Sequence, residues 1–425
     1  MKAEVLTIGD ELLRGEIVDS NKSFLSDRLL TVDADVRWHS SVLDDPADMT
    51  DAFLRAAGRA DVVLVSGGLG PTRDDLTIEV LAHTFGRKLV ADEDTLEKLR
   101  AFFSRFGREM APNNAKQANF PEGSEILPNP EGTAPGCMLR SDGAVFFCMP
   151  GVPRELYRMM DEQVLPRLDA LRGDGQVARA ALLRTFGMGE SNLDEALGDL
   201  DLDEGVTLGF RTAFPDNYVR PLARGATVEE AEARLARACD AIRMRLGPLV
   251  YGEGDAETME TVVGRLLLER GKTIAVAESC TGGLLGERIS AVPGASEWFR
   301  GGIIAYANDV KAAQLGVPEA LLEEHGAVSE AVAAAMARSV RELLGADFGI
   351  STTGISGPGG GSDEKPVGLV YVGVADADHV QARDFLFPFE RPRHRAVTTQ
   401  VALDWLRRTL LGEEPIATRY TRRRP

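Results

Sequence analysis

The strongest constraint on this chain is a short apolar run that stops abruptly. Residues 273–277 (TIAVA) lead straight into Glu278, Ser279, Cys280, Thr281, Gly282 and Gly283. Such a run reads as a buried strand, and the segment after it is amphipathic, with Leu284, Leu285 and Ile289 on one face. Ser279 therefore sits where a strand hands over to a helix. A helix N-terminus offers unpaired N–H groups and a positive dipole end, which can hold an oxyanion or a phosphate. The two glycines let a substrate approach the backbone closely. Cys280, Thr281, Gly282 and Gly283 are accordingly substrate-binding candidates.

The pattern repeats at once. Residues 301–307 (GGIIAYA) read as a second strand, and Asn308 or Asp309 can cap a helix beginning DVKAAQLGV. Lys311 then falls in that helix's first turn, where the dipole disfavours an ammonium. A partly buried lysine there is biased towards the neutral form, which can take a proton from a serine. Tyr306 ends the strand, and Ser296 lies in the connecting loop with Pro293 and Gly294. No histidine lies between 273 and 311, so a Ser–His–Asp triad is not the local reading. Spacing alone leaves the plainer alternative open: a serine as a helix cap and a lysine as a solvated surface residue.

Two further stretches have the same look. Strands at 4–8, 36–41 and 61–66, with helices near 20–30, 49–58 and from 76, imply a parallel, doubly wound sheet whose ligands bind at the strands' carboxyl ends. Asp10 and Glu11 lie at one such end; Gly67, Gly68, Asp74 and Asp75 lie at another. A glycine-rich loop there can cradle a phosphate, and the acids can hold a divalent cation. Equally, Asp74 or Asp75 can simply cap the next helix. In the last third, a strand at 348–353 runs into Gly354, Ile355, Ser356, Gly357, Pro358, Gly359, Gly360 and Gly361. This loop is suited to a ligand phosphate, a ribose or an oxyanion, with a flexible surface loop as the alternative. Arg391, Arg393, His394 and Arg395 open the final helix, where a basic cluster opposes the dipole unless an anion neutralises it. One of these arginines, Arg393, is the phosphate candidate.

Between these regions, residues 177–254 read as a small α+β module with strand-like stretches at 178–186, 206–210 and 218–223 and a strong helix at 228–246. It carries no catalytic cluster and reads as a spacer or oligomer-building module. Gly173, Asp174, Gly175 and Gln176 form the first linker and residues 252–255 the second. The expected domains are 1–172, 177–254 and 255–415, in keeping with a length of 425 residues at roughly 150 per domain. The helix opened by Pro153 is expected to run to about Arg172, and the basic tail 419–425 to be disordered.

Composition narrows the partners. With 48 basic and 66 acidic residues the net charge is −18, which argues against a nucleic acid or membrane held by bulk electrostatics. The four cysteines show no metal-site spacing and fit a reducing cytoplasm. No apolar run reaches the roughly 18 residues of a membrane span, and the N-terminus lacks a signal peptide's apolar core.

AESCTGG, followed by GAS and then GGIIAYANDVK, resembles the C-terminal domain of the CinA (competence/damage-inducible) family, which is similar to nicotinamide mononucleotide (NMN) amidohydrolases. The resemblance implies that Ser279 is the nucleophile and Lys311 the base, with Ser296 and Tyr306 assisting and no metal in the reaction. GDELLRGEIVDSN, SGGLGPTRDD, NPEGTAPG and PGVPREL together resemble the family's N-terminal domain, which is similar to molybdopterin-binding proteins. In some relatives that domain hydrolyses ADP-ribose with a divalent metal. Here this implies Gly67 and Gly68 as ligand contacts and Asp74 and Asp75 as metal ligands. A homodimer is implied by the same resemblance. Two rival functions stand beside the amidohydrolase: a non-catalytic interaction protein linked to DNA uptake or repair, and a pterin-binding protein acting through residues 1–171.

Overall fold

The computed structural model describes residues 1–415 apart from Phe106, Asp142 and Asp174. The linker position Asp174 and the tail 419–425 thus lie outside the described residues. The chain forms two compact units, one of Met1–Ala180 with Ala223–Arg234, the other of Ala181–Leu222 with the chain from Leu235 on.

The first unit is built on β1 (Lys2–Ile8), β2 (Asp35–Val42), β3 (Val62–Ser66), β4 (Glu125–Leu127), β5 (Gly136–Ser141) and β6 (Ala144–Met149), in the order β2-β1-β3-β6-β5-β4. The first four strands in that order are parallel, and β5 and β4 are antiparallel additions, so the sheet is mixed rather than wholly parallel as expected. Alternate residues feed two cores. Leu6 and Val63 pack with Met49 and Phe53 of the helix Pro46–Ala57, while Val5 and Leu64 pack with Leu25 and Leu29 of the helix Ser20–Thr31. The helix from Pro153 reaches Arg172 as expected but contains a wide π turn at Met160–Val164. Pro166 follows two residues after Val164 and cannot donate the N–H that a regular turn requires there.

The middle strands are β7 (Leu183–Thr185), β8 (Val206–Ala213), β9 (Asp216–Gly225) and β10 (Val250–Glu253), ordered β8-β9-β7-β10. The single strand expected over 178–186 is broken in two, Val177–Ala180 and Leu183–Thr185. Helix Val228–Leu246 forms as expected.

The C-terminal sheet holds β11 (Ile274–Glu278), β12 (Phe299–Ile304), β13 (Phe348–Gly354), β14 (Leu369–Ala375) and β15 (Val380–Leu386), in the order β12-β11-β13-β14-β15. The first three are parallel; β14 and β15 return antiparallel. Helix α1 (Met259–Glu269) and the final helix α2 (Arg391–Leu411) cover one face, where Val263 and Val401 share a core with Ile274 and Val276. Helix Glu330–Leu343 covers the other, where Val332 and Met336 meet Ala275 and Ala277. The TIAVA run is therefore an interior strand, paired on both sides and buried on both faces, which is why it does not alternate.

Packing around this strand leaves no slack. A Cβ placed on Gly264 of α1 would lie 2.7 Å from the Trp298 ring, itself 1% exposed. Gly264→Ala should therefore destabilise by about 1–2 kcal/mol in denaturant melts, overpacking outweighing the gain in helix propensity.

Candidate active site

β11, β12 and β13 are parallel, so their carboxyl ends share one edge of the sheet, and that edge gathers the chemistry. Ser279 follows β11, and its N–H donates to the Thr352 carbonyl of β13 at 2.9 Å. Tyr306 and Lys311 follow β12, Lys311 from the first turn of the helix Asn308–Leu315. That helix is capped by Ala307 without a side-chain bond, not by Asn308 or Asp309; both belong to the helix itself.

Lys311 is 1% exposed. Its Nζ lies 3.0 Å from Ser279 Oγ, 2.9 Å from the Ala305 carbonyl oxygen and 3.0 Å from the Tyr306 carbonyl oxygen. None of these acceptors carries a charge. Burial pushes the ammonium below its usual range. A neutral amine has two hydrogens and one lone pair. The two carbonyls can take both hydrogens, which leaves the lone pair for the serine hydroxyl. The surface-lysine alternative is excluded by this burial.

The helix-cap alternative for Ser279 fails as well, because another residue caps. Glu278, 2% exposed, accepts from the Gly283 and Leu285 amides at 3.0 Å each and from Gly286 at 2.7 Å. The helix Leu284–Ser290 thus starts at Gly283, which stands at φ +95°. The Gly282 amide donates to the Ser279 carbonyl at 3.1 Å. Of the four amides expected to meet an oxyanion, those of Gly282 and Gly283 are already engaged, and those of Cys280 and Thr281 stay in contention. The turn is braced from outside by Arg395, whose Nε and Nη2 donate to the Thr281 carbonyl at 3.0 and 2.5 Å, and by a 2.7 Å contact between the Thr281 and Thr352 hydroxyls. Cys280 is buried, and its thiol is pushed up to about 12, so it makes a poor nucleophile at neutral pH.

Tyr306 has its ring half exposed, and its hydroxyl accepts from Arg391 Nη2 at 2.8 Å. Arg391 Nη1 also donates to the Gly357 carbonyl at 3.1 Å, tying tyrosine to glycine loop. In that loop Gly357 and Gly360 have positive φ, and Gly359 faces open space. Gly354 is glycine for a packing reason: a Cβ would lie 2.8 Å from the Leu369 carbonyl oxygen.

Two of the expected residues are not brought to this edge. Ser296 is exposed in the short turn Ala295–Glu297 before β12, whose first residue, Phe299, pairs with Ile274 at the opposite end of the strand. At about 3.3 Å per residue, the Phe299 level is already roughly 16 Å down the strand from Ser279. Arg393 projects to the far side of its helix, its guanidinium 4.4 Å from the Phe214 ring centre and 5.7 Å from that of Phe389. Its neighbours Arg391 and Arg395 hold the positions expected of it.

In the first unit Gly67 and Gly68 follow β3 at positive φ. A Cβ on Gly67 would sit 2.1 Å from the Ile8 carbonyl oxygen, and one on Gly68 2.2 Å from Thr77 Oγ1. Packing alone requires both glycines. Asp75 accepts from the Thr72 amide at 2.8 Å, and both Asp74 and Asp75 accept from the Thr72 hydroxyl. The carboxylates fold the loop; they do not cap the next helix, which starts after Leu76. Among the described residues no group of three His, Cys, Asp or Glu side chains is placed to hold a metal ion by itself, so a cation here would need substrate phosphate oxygens beside Asp74 and Asp75. Asp10 exchanges backbone-to-carboxylate bonds with Asp44.

Sequence comparison agrees with this architecture. Residues 4–170 match a probable molybdopterin binding domain, 181–252 the damage-inducible protein CinA KH domain and 256–410 the CinA C-terminal domain. The protein is thus a mixed α/β chain with a molybdopterin-binding-like N-terminal domain, a KH-like middle domain and a CinA C-terminal domain. It is 43% identical to a CinA-like protein of Geobacter metallireducens over 97% of this chain and 100% of the relative, and 44% identical to one from Geobacter sulfurreducens over the same shares. The chain belongs to the CinA family. A solved CinA protein of Thermoplasma acidophilum, described as having unknown function, is 35% identical and covers 39% of this chain and 97% of its own, with a TM-score of 0.36. No helix among the described residues is long and apolar enough to cross a membrane.

Proposed function

We propose that the C-terminal domain is a serine–lysine amidohydrolase that converts NMN to nicotinate mononucleotide and ammonia in the cytoplasm. One observation carries this reading: a buried lysine amine 3.0 Å from a serine hydroxyl, with main-chain carbonyls as its other partners. Lys311 takes the Ser279 proton as Oγ bonds to the carboxamide carbon. The Cys280 and Thr281 amides meet the oxyanion. The C–N bond then breaks, and Lys311 returns its proton to the departing nitrogen, releasing ammonia. Water attacks the acyl-serine with Lys311 again as base, and the acid leaves as Ser279 regains its proton. Arg391, exposed beside the glycine loop, is placed to meet the substrate phosphate. Ser296 has no part in this scheme, and Tyr306 serves through its carbonyl oxygen and its hold on Arg391.

For the N-terminal domain we propose nucleotide or pterin binding at the loop that Asp74 and Asp75 fold, with metal-dependent turnover of ADP-ribose as its further activity.

The test is ammonia release from NMN by the full chain, followed against pH and with chelator. Only the neutral amine is a base, so kcat/KM should rise with pH through the folded-state pKa of Lys311 and level off above it. That limb should lie below 10.5, the ordinary lysine value. A silent wild-type chain, or a flat profile, would rule the reading out.

A further inference from the structure

The final helix begins in a way that it cannot sustain alone. Its first turns hold Arg391, Pro392, Arg393 and Arg395, with no acidic residue in the first turn, and its cap Glu390 makes no side-chain bond. Three guanidinium groups therefore crowd the positive end of the helix dipole. Yet this is the segment that reaches the candidate site. Arg391 and Arg395, four residues apart, share a face and hold Tyr306, Gly357 and the Thr281 carbonyl.

Arg393 lies half a turn round, and the nearer of the two rings it meets belongs to the middle domain. Its guanidinium covers Phe214, at the tip of the β8–β9 hairpin, and Phe214 packs edge-on against Phe389 with ring centres 5.0 Å apart. Two residues on, Asp216 accepts from Gln400 Nε2 of the same helix at 2.6 Å and from the Tyr251 hydroxyl at 2.5 Å. Gln400 Oε1 in turn accepts from Arg288 at 2.6 Å. The hairpin thus grips the helix at its start and again two turns along.

We propose that the 213–216 hairpin of the middle domain is a brace for the start of α2, so that the middle domain holds Arg391 and Arg395 against the catalytic turn and the glycine loop. The substrate-facing edge of the C-terminal domain is then built by two domains. Phe214 and Arg393 are positioning residues, and the middle domain is more than a spacer. Only the kinetic arm of the test rests on the amidohydrolase reading.

The experiment uses the full chain with Phe214→Ala and Phe214→Tyr. Hydrogen–deuterium exchange is followed over 391–396 and over α1, beside KM and kcat for NMN. Phe214→Ala should speed exchange at 391–396 on the order of tenfold while α1 keeps its wild-type rate. It should raise KM by about tenfold with a smaller change in kcat, and Phe214→Tyr should restore both. Unchanged exchange at 391–396 overturns the brace. Equal loosening of α1 also overturns it, since Phe214 would then be a core residue only. Faster exchange with an unchanged KM breaks the link to the site. If the wild-type chain proves inactive on NMN, exchange still decides the brace, and the amidohydrolase reading alone falls.

Discussion

Ser279→Ala and Lys311→Met are each expected to lower ammonia release from NMN by about a thousandfold or more, and the double variant to be little worse than either. In the proposed reaction the two side chains act as one unit: without the hydroxyl there is no acyl-enzyme, and without the amine the hydroxyl stays protonated. Neither change should unfold the protein. Methionine fills most of the lysine's volume and asks for no solvation, so the price is two carbonyls without a donor, about 1–2 kcal/mol. A second signature separates Lys311 from an inert core residue. Its folded pKa is depressed, so wild-type stability rises with pH from that value up to the unfolded value near 10.5 and falls as pH drops through the same window. Lys311→Met should flatten that rise in denaturant melts taken across it. A variant that lost activity but kept the slope would locate the titrating group elsewhere.

Glu278→Ala is the second large effect, on both activity and stability. One carboxylate serves three amides at the start of the helix Leu284–Ser290, and all three would be left without an acceptor. The cost is about 2–4 kcal/mol. With the cap gone, the turn from Cys280 to Gly283 loses the bonds that set its course, and kcat should fall about a hundredfold. Glu278→Gln keeps one acceptor oxygen and turns an N–H donor towards an amide, so it should fall between wild type and alanine on both scales. Thermal melts and initial rates on the same preparations decide this. An alanine variant that melts like wild type would mean that water replaces the carboxylate.

The pair Ser279 and Lys311 was legible because each follows a short apolar strand, and parallel neighbours bring such ends together. That logic fixes which end of the sheet matters but not where a loop residue falls along it. Ser296 lies in a loop that starts from the active edge and must travel back down the sheet before β12 can begin. Its distance from Ser279 is a matter of register, visible only once Phe299 is seen opposite Ile274. Among the arginines, helical phase was available from sequence: 391 and 395 share a face, and 393 opposes them. What the sequence withheld was which face looked at the site. Glu278 carried no local signal either. As the last residue of a buried strand it reads as an unexplained charge, and its work is done on amides five to eight residues further on. The glycines of the first unit have a packing reason that the sequence does not show, in their tight approaches to Ile8 and Thr77.

The burial of Lys311 also bears on the protein's chemical durability. A neutral amine is the form that aldehydes, cyanate and activated esters attack, so a lysine tuned for base catalysis is ordinarily the most vulnerable group on a protein's surface. Here Lys311 is 1% exposed, and among the described residues Ser279 is the one side-chain hydrogen-bond partner of its amine. Ser279 is the more exposed of the two, and on the proposed reaction an ester formed there would be cleared by the hydrolytic half of the cycle.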